Sequence, residues 1–305
     1  MRVLITGATG FVGRALVHAL MERGDQLVAL TRDPTRARMA LPGLVHTHAW
    51  DPLAGPPPPE AFESVDAVVN LIGESVVGRW TAEKKRAILE TRETGARNLA
   101  QGMRDAAGAG TAPRVLVNAS ACGYYGDRGE EELTEDAPPG ESFLSGVCVR
   151  WEAAASRASL SGTRVVLLRT GMVAGREGGF LGPLSRLTRF GLGGPAGSGR
   201  QWWPWVHLDD VVGLILYALD NEAVKGPLNA CAPAPARQRE VASTLGRVLR
   251  RPAFAPAPAF ALRLALGEFA TELLNSRRTL PAAALASGYA FRHTDLAAAL
   301  RDIYS

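Results

Sequence analysis

Along the chain, short apolar runs rich in β-branched residues alternate with longer stretches in which apolar positions recur every three to four residues. RVLIT (2–6), QLVAL (26–30), LVHTH (44–48), VDAVVNL (65–71), RVLVNAS (114–120) and RVVLLRT (164–170) have the lengths of strands. Most lack a polar alternate face, as strands covered on both sides do. Between them, FVGRALVHALMERG (11–24) and TAEKKRAILETRETGARNLAQGMRDA (81–106) are amphipathic with a helical period. This alternation predicts an α/β fold, a doubly wound parallel sheet with helices on both faces.

The four prolines at 56–59 make a stiff surface excursion rather than a linker, because strands resume afterwards on the same pattern. After Gly171 the texture changes to glycine-rich loops, then WVHLDDVVGLILYAL (205–219) resumes a strand and helix, and helical patterns return at 237–250 and 258–275. The expected organisation is a nucleotide-binding domain over 1–171, rejoined by 204–222, and a smaller interleaved substrate-binding region from 172–203 and 223–305. A chain of 305 residues, 47% hydrophobic and 21% charged, has enough apolar content for a large core. The net charge is +4 and the basic residues are scattered, so no phosphate-tracking stripe argues for nucleic acid. No secretory pattern follows Met1, no apolar run reaches the ~20 residues of a bilayer span, and the three cysteines form no CxxC. These features predict a cytoplasmic protein with no membrane partner, a monomer or homodimer.

VLITGATGFVG places Gly7, Gly10 and Gly13 between the first strand and the first helix. Glycines there allow a tight turn and bring backbone N–H groups against a pyrophosphate, whose charge the helix N-terminus favours. This is the entry to a Rossmann-type dinucleotide site. The candidate cofactor contacts are Gly7, Thr9, Gly10, Phe11, Val12 and Gly13 in the turn, Leu71 and Gly73 after the fourth strand, Ser120 after the fifth, and Arg32. Arg32 stands near the end of the second strand, where a carboxylate would accept from the adenosine ribose 2′-OH. A guanidinium presents a donor fork to a 2′-phosphate instead, so NADP(H) is expected over NAD(H).

With these motifs the chain resembles the extended short-chain dehydrogenase/reductase superfamily, the NAD(P)-dependent epimerase/dehydratases. It is most similar to an atypical branch named for nucleoside-diphosphate-sugar epimerases. The resemblance rests on ITGATGFVG, VVNLIGE (68–74), RWTAEKK (79–85), NASACGYYGDRGEEELTED (118–136), VRWEAAA (149–155), LRTGMVAGREGG (168–179), GLGGPAGSGRQWWPWVHLDD (191–210) and LNACAP (228–233). PAFALRLALGE (258–268) and LPAAALASGYAFRH (280–293) resemble that branch's C-terminal region of unknown function.

The resemblance implies a serine after the fifth strand and a Tyr-x-x-x-Lys pair on the next helix, which trade a proton with the substrate hydroxyl while nicotinamide moves hydride. Ser120 fits the first requirement. No Tyr-x-x-x-Lys exists in the chain: aligned on the Trp-Glu pair, Leu144 takes the tyrosine position and Cys148 the lysine position. Tyr125, on the loop leaving the strand, and Glu74, if burial raises its pKa, are the candidate replacements, each with a packing or ion-pair alternative. Cys148 has no histidine or lysine close in sequence and reads as a small core residue.

At the substrate end, Arg200, Trp202 and His207 fall in a loop segment that in the extended family covers a nucleotide-sugar diphosphate; tryptophans anchoring the loop is the equal alternative. Asp209 or Asp210 is a candidate N-cap for the helix that follows, with His207 as a brace. His46, His48 and Asp51 lack further ligands, and no metal site is expected. Two functions remain open: an NADP-dependent epimerase- or reductase-like enzyme acting on a nucleotide sugar or another small hydroxyl/carbonyl compound, and a catalytically silent NADP(H)-sensing protein.

Overall fold

The computed structural model describes residues 1–44, 46–176 and 178–305; Val45, in the third apolar run, and Glu177 lie outside the described residues. Seven parallel strands form the central sheet: β1 (Arg2–Thr6), β2 (Gln26–Thr31), β3 (His46–Ala49), β4 (Ala67–Asn70), β5 (Val115–Ala121), β6 (Arg164–Thr170) and β7 (Gly226–Ala230). Their spatial order is β7-β6-β5-β4-β1-β2-β3. The order reverses beside β1, so a crevice opens at the carboxyl ends of β1 and β4.

The period of two along the strands sends alternate residues to two layers. Val3, Ile5, Val69 and Val117 pack with α1 (Phe11–Glu22) and with Val211, Leu214 and Ile215 of the helix Leu208–Asp220. Leu4, Val28, Val68 and Leu116 pack on the other face with Leu99 and Met103, from the helix Ala82–Gly108, and with Trp151. In α1 the buried positions are Gly13, Leu16, Val17 and Leu20, one face of a 3.6-residue helix. No described helix is long and apolar enough to cross a membrane.

The remaining helices, in chain order, are α2 (Pro34–Ala40), α3 (Ala82–Gly108), α4 (Phe143–Ser156), α5 (Leu181–Arg189), α6 (Leu208–Asp220), α7 (Gln238–Leu249), α8 (Ala259–Leu266), α9 (Ala270–Leu274), α10 (Ala282–Ala286) and α11 (Leu296–Tyr304). The sequence between β6 and β7 leaves the sheet: Met172–Ala174 pairs in parallel with Trp205–His207, and α5, α7 and α11 gather around them. Two details differ from the patterning. GPLNA, with few strand-forming residues, lies within the stretch assigned to the second region, yet it is β7, pairing along β6 at the sheet edge. The long helix expected over 258–275 breaks at Gly267, whose φ of +62° ends α8 before α9 begins.

Candidate functional site

The cofactor end is made of backbone. Gly7 takes a φ of +69°, and a Cβ there would sit 2.9 Å from the Leu71 carbonyl oxygen. A Cβ on Gly13 would meet the Gly7 carbonyl oxygen at 2.2 Å, so the turn closes only with glycine at that point. Gly10 caps α1 without a side chain, which leaves the first-turn N–H groups free for an outside acceptor. The Phe11 ring packs under Gly175 and Gly178, and the Thr9 carbonyl accepts from Arg14 at 2.9 Å. Beside the turn, a cavity of about 130 Å³ is lined by Gly7, Thr9, Thr31, Arg32, Trp50 and Ile72. Asp33, the residue after Arg32, is turned into α2, where it accepts from Arg36 N–H at 2.9 Å as the N-cap. Arg32 lines this cavity, within electrostatic reach of the Glu74 carboxylate.

Beyond β4, a side chain at Gly73 would collide with the Arg92 guanidinium, which donates to the carbonyls of Glu74 and Ile88 at 2.9 and 3.1 Å. Glu74 forms an ion pair with Lys84 at 2.6 Å. The hydrogen bond from Lys84 holds the Glu74 carboxyl below its ordinary value, outweighing the opposing effect of burial. The condition set for Glu74 as a base, a pKa raised by burial, is thus reversed.

Under Ser120 the site is made of side chains tied to one another. Register puts Ser120 of β5 beside Arg169 of β6. The Ser120 hydroxyl donates to Glu152 of α4 at 2.6 Å, and Arg169 grips the same carboxylate through two bonds of 2.9 Å. Arg169 also donates to the Tyr125 hydroxyl at 3.0 Å, which in turn donates to Asn229 of β7 at 2.7 Å. Burial disfavours charge on Arg169, yet its bonds to Glu152 hold its pKa above the ordinary value on balance. Tyr125 is 0% exposed, and burial raises its phenol. Its hydroxyl is committed inside the network, so Tyr125 braces this site rather than reaching open space.

On α4, started by the Ser142 cap, Leu144 and Cys148 both turn inward. Leu144 packs with Ile88 and Val147, filling the tyrosine position with hydrocarbon. The Cys148 thiol approaches the Ala121 carbonyl at 3.7 Å and is pushed up to about 11 by burial. Glu152, Arg169 and Asn229 were missed from sequence. A signal existed for two of them: an arginine inside the apolar run RVVLLRT, and a glutamate one helical turn beyond Cys148.

At the substrate end, Trp202 donates to Glu130 at 2.9 Å and lies under the Arg237 guanidinium at 4.2 Å, an anchor for its loop. Arg200 is exposed, and its backbone carbonyl accepts from Arg237. The expected α6 cap is corrected: His207 itself is the N-cap, its Nδ1 accepting from Asp209 N–H at 3.1 Å, because an imidazole lone pair serves where a carboxylate was anticipated. Asp210 is fully buried and accepts from the N–H groups of Arg292 and His293 at 2.8 and 3.0 Å. His207, 5% exposed, stacks on His293 at 3.7 Å, and ligand atoms of these two with Asp209 and Asp302 lie within 4.8 Å of one another. His207 thus ties α6 to the C-terminal segment and stands back from open space.

Residues 3–231 match the NAD dependent epimerase/dehydratase family. The chain belongs to this family. Residues 257–303, including α8 through α10, match a domain of unknown function, DUF1731. Among relatives, the epimerase family protein SDR39U1 of Homo sapiens is 37% identical over 99% of each chain. A crystal structure of human epimerase family protein SDR39U1 (isoform 2) with NADPH, 36% identical, superposes with a TM-score of 0.89 and 99% coverage of both chains. The Thermus thermophilus UDP-glucose 4-epimerase in complex with NAD, at 23% identity and a TM-score of 0.77, shares the family fold.

Proposed function

We propose that this protein binds NADP(H) and acts on a hydroxyl or carbonyl substrate of the nucleotide-sugar kind, with Ser120 polarising the substrate oxygen. The observation that carries the cofactor half is the uncapped glycine start of α1, opening beside a cavity edged by Arg32 while Asp33 is committed elsewhere. The pyrophosphate would rest on the first-turn N–H groups and the 2′-phosphate beside Arg32. The relative crystallised with NADPH supports the same choice of dinucleotide. The bound cofactor supplies hydride transfer at nicotinamide. This chain's part is to hold the substrate oxygen at the Ser120 hydroxyl. That hydroxyl donates to Glu152, so its lone pairs accept from a substrate hydroxyl, and polarising a substrate carbonyl requires its O–H to turn from Glu152 to the substrate; Glu152 and Arg169 are positioning residues.

A second reading, a catalytically silent NADP(H) sensor, is favoured by one observation: a buried hydrocarbon, Leu144, and a buried, poorly acidic thiol, Cys148, stand where the proton relay would be. Incubating the NADPH-loaded protein with a panel of nucleotide sugars and small carbonyls, following nicotinamide absorbance and analysing products for redox-neutral epimerisation, separates the two. Turnover that falls about 100-fold in Ser120→Ala supports the enzyme. NADPH binding with no turnover of any panel member supports the sensor.

A further inference from the structure

The C-terminal region carries an apolar, cationic face that neither the cofactor nor the relay site uses. The chain pairs Ala255 N–H with the Gly193 carbonyl at 3.0 Å and Ala257 N–H with the Pro195 carbonyl at 2.8 Å, which brings two distant segments, 181–203 and 243–266, side by side. On them Phe190, Leu192, Phe254, Phe260 and Leu264 stand 79%, 62%, 79%, 73% and 78% exposed. In α8 every residue but Arg263 is apolar, and not one is buried. The same segments contain no aspartate or glutamate. Their arginines 186, 189, 200, 247, 250, 251 and 263 are exposed, and none of them makes an ion pair among the described residues. Arg247, Arg250 and Arg251 share one hollow of about 390 Å³ with Phe254. The acids that flank 243–266 along the chain are engaged elsewhere: Glu240 accepts from Arg237 N–H, and Glu268 pairs with Lys85. Spacing along the sequence hides this cluster; strand-like pairing of the two segments creates it.

We propose that this face docks on an anionic lipid surface, with Phe254, Phe260 and Leu264 entering the headgroup boundary and the arginines meeting lipid phosphates. Unpaired cations interleaved with large apolar side chains are the recognition chemistry of such a surface. A second copy of the chain is disfavoured as the occupant, since a two-fold contact would set arginine against arginine. An acidic protein is the alternative occupant that the experiment below separates from lipid. Association of this kind needs no spanning helix.

Flotation of the full-length protein with vesicles of phosphatidylcholine, alone or mixed with phosphatidylglycerol, tests the proposal. Binding to the anionic vesicles only, weakened by salt and reduced about tenfold or more both in Phe254→Ser/Phe260→Ser and in Arg250→Glu/Arg251→Glu, is the expected result. All altered side chains are exposed, and unchanged thermal melting of the variants verifies their fold. No flotation, equal flotation on neutral vesicles, or binding insensitive to the phenylalanine pair overturns it. So does equally tight capture by soluble polyglutamate, which would point to an acidic protein partner.

Discussion

The start of α1 and the ground beneath Ser120 lie at the same end of one parallel sheet and are built in opposite ways. At α1 the functional groups are main-chain N–H donors, uncapped and open, shaped by glycines at positions where any Cβ would strike a carbonyl. Beneath Ser120 the groups are side chains from β5, β6, β7, α4 and the loop after β5, each spending its hydrogen-bonding capacity on another. The first arrangement waits for a ligand. The second is already satisfied except at the Ser120 lone pairs, and its arginine–carboxylate core is a structural commitment as much as a chemical resource.

The contrast breaks most sharply at Glu152. Replacing it with alanine leaves the Arg169 guanidinium buried without its carboxylate, and the expected loss is about 3–5 kcal/mol of unfolding free energy in a denaturant titration. A loss below about 1 kcal/mol would mean that the network is hydrated and open like the cofactor end. At Arg32 the expected outcome is the reverse in kind: Arg32→Ala keeps the fold and weakens NADPH on the order of 10- to 100-fold while leaving NADH nearly unchanged, measured by nicotinamide fluorescence. Comparable losses for both cofactors would remove the 2′-phosphate role.

The smallest effect belongs to the Glu74–Lys84 pair. Because the Lys84 hydrogen bond depresses the Glu74 carboxyl, the pair favours the folded state at pH values above the ordinary glutamate range. That contribution is lost as pH falls through the lowered folded-state value. With Glu74 41% exposed, solvent screening limits it to about 0–1 kcal/mol, so Glu74→Gln should shift stability slightly at pH 7 and not at all in strong acid. A stability difference that grows toward acid would contradict the sign.

What could be read from sequence follows the same division. Six of the seven central strands, the glycine turn and the lost Tyr-x-x-x-Lys pair are local patterns, carried by consecutive residues. The seventh strand was not legible because GPLNA has little strand propensity of its own and is held by pairing with β6. The Glu152–Arg169–Tyr125–Asn229 chain joins residues far apart in sequence, so periodicity says nothing of it. Tyr125 drew notice as a replacement acid for its position five residues past Ser120, while the partner that takes up its hydroxyl, Asn229, sits 104 residues away. His207 likewise hid its role as a cap, because the acids beside it are the commoner cap residues.

The cofactor proposal rests on an anion site at the start of α1 with a guanidinium selecting the phosphorylated adenosine. Calorimetric titration of the unmodified protein with NADPH and with NADH tests it most directly. One site per chain is expected, with NADPH bound at least about tenfold more tightly than NADH. Equal affinities, or no heat of binding with either dinucleotide, would contradict it.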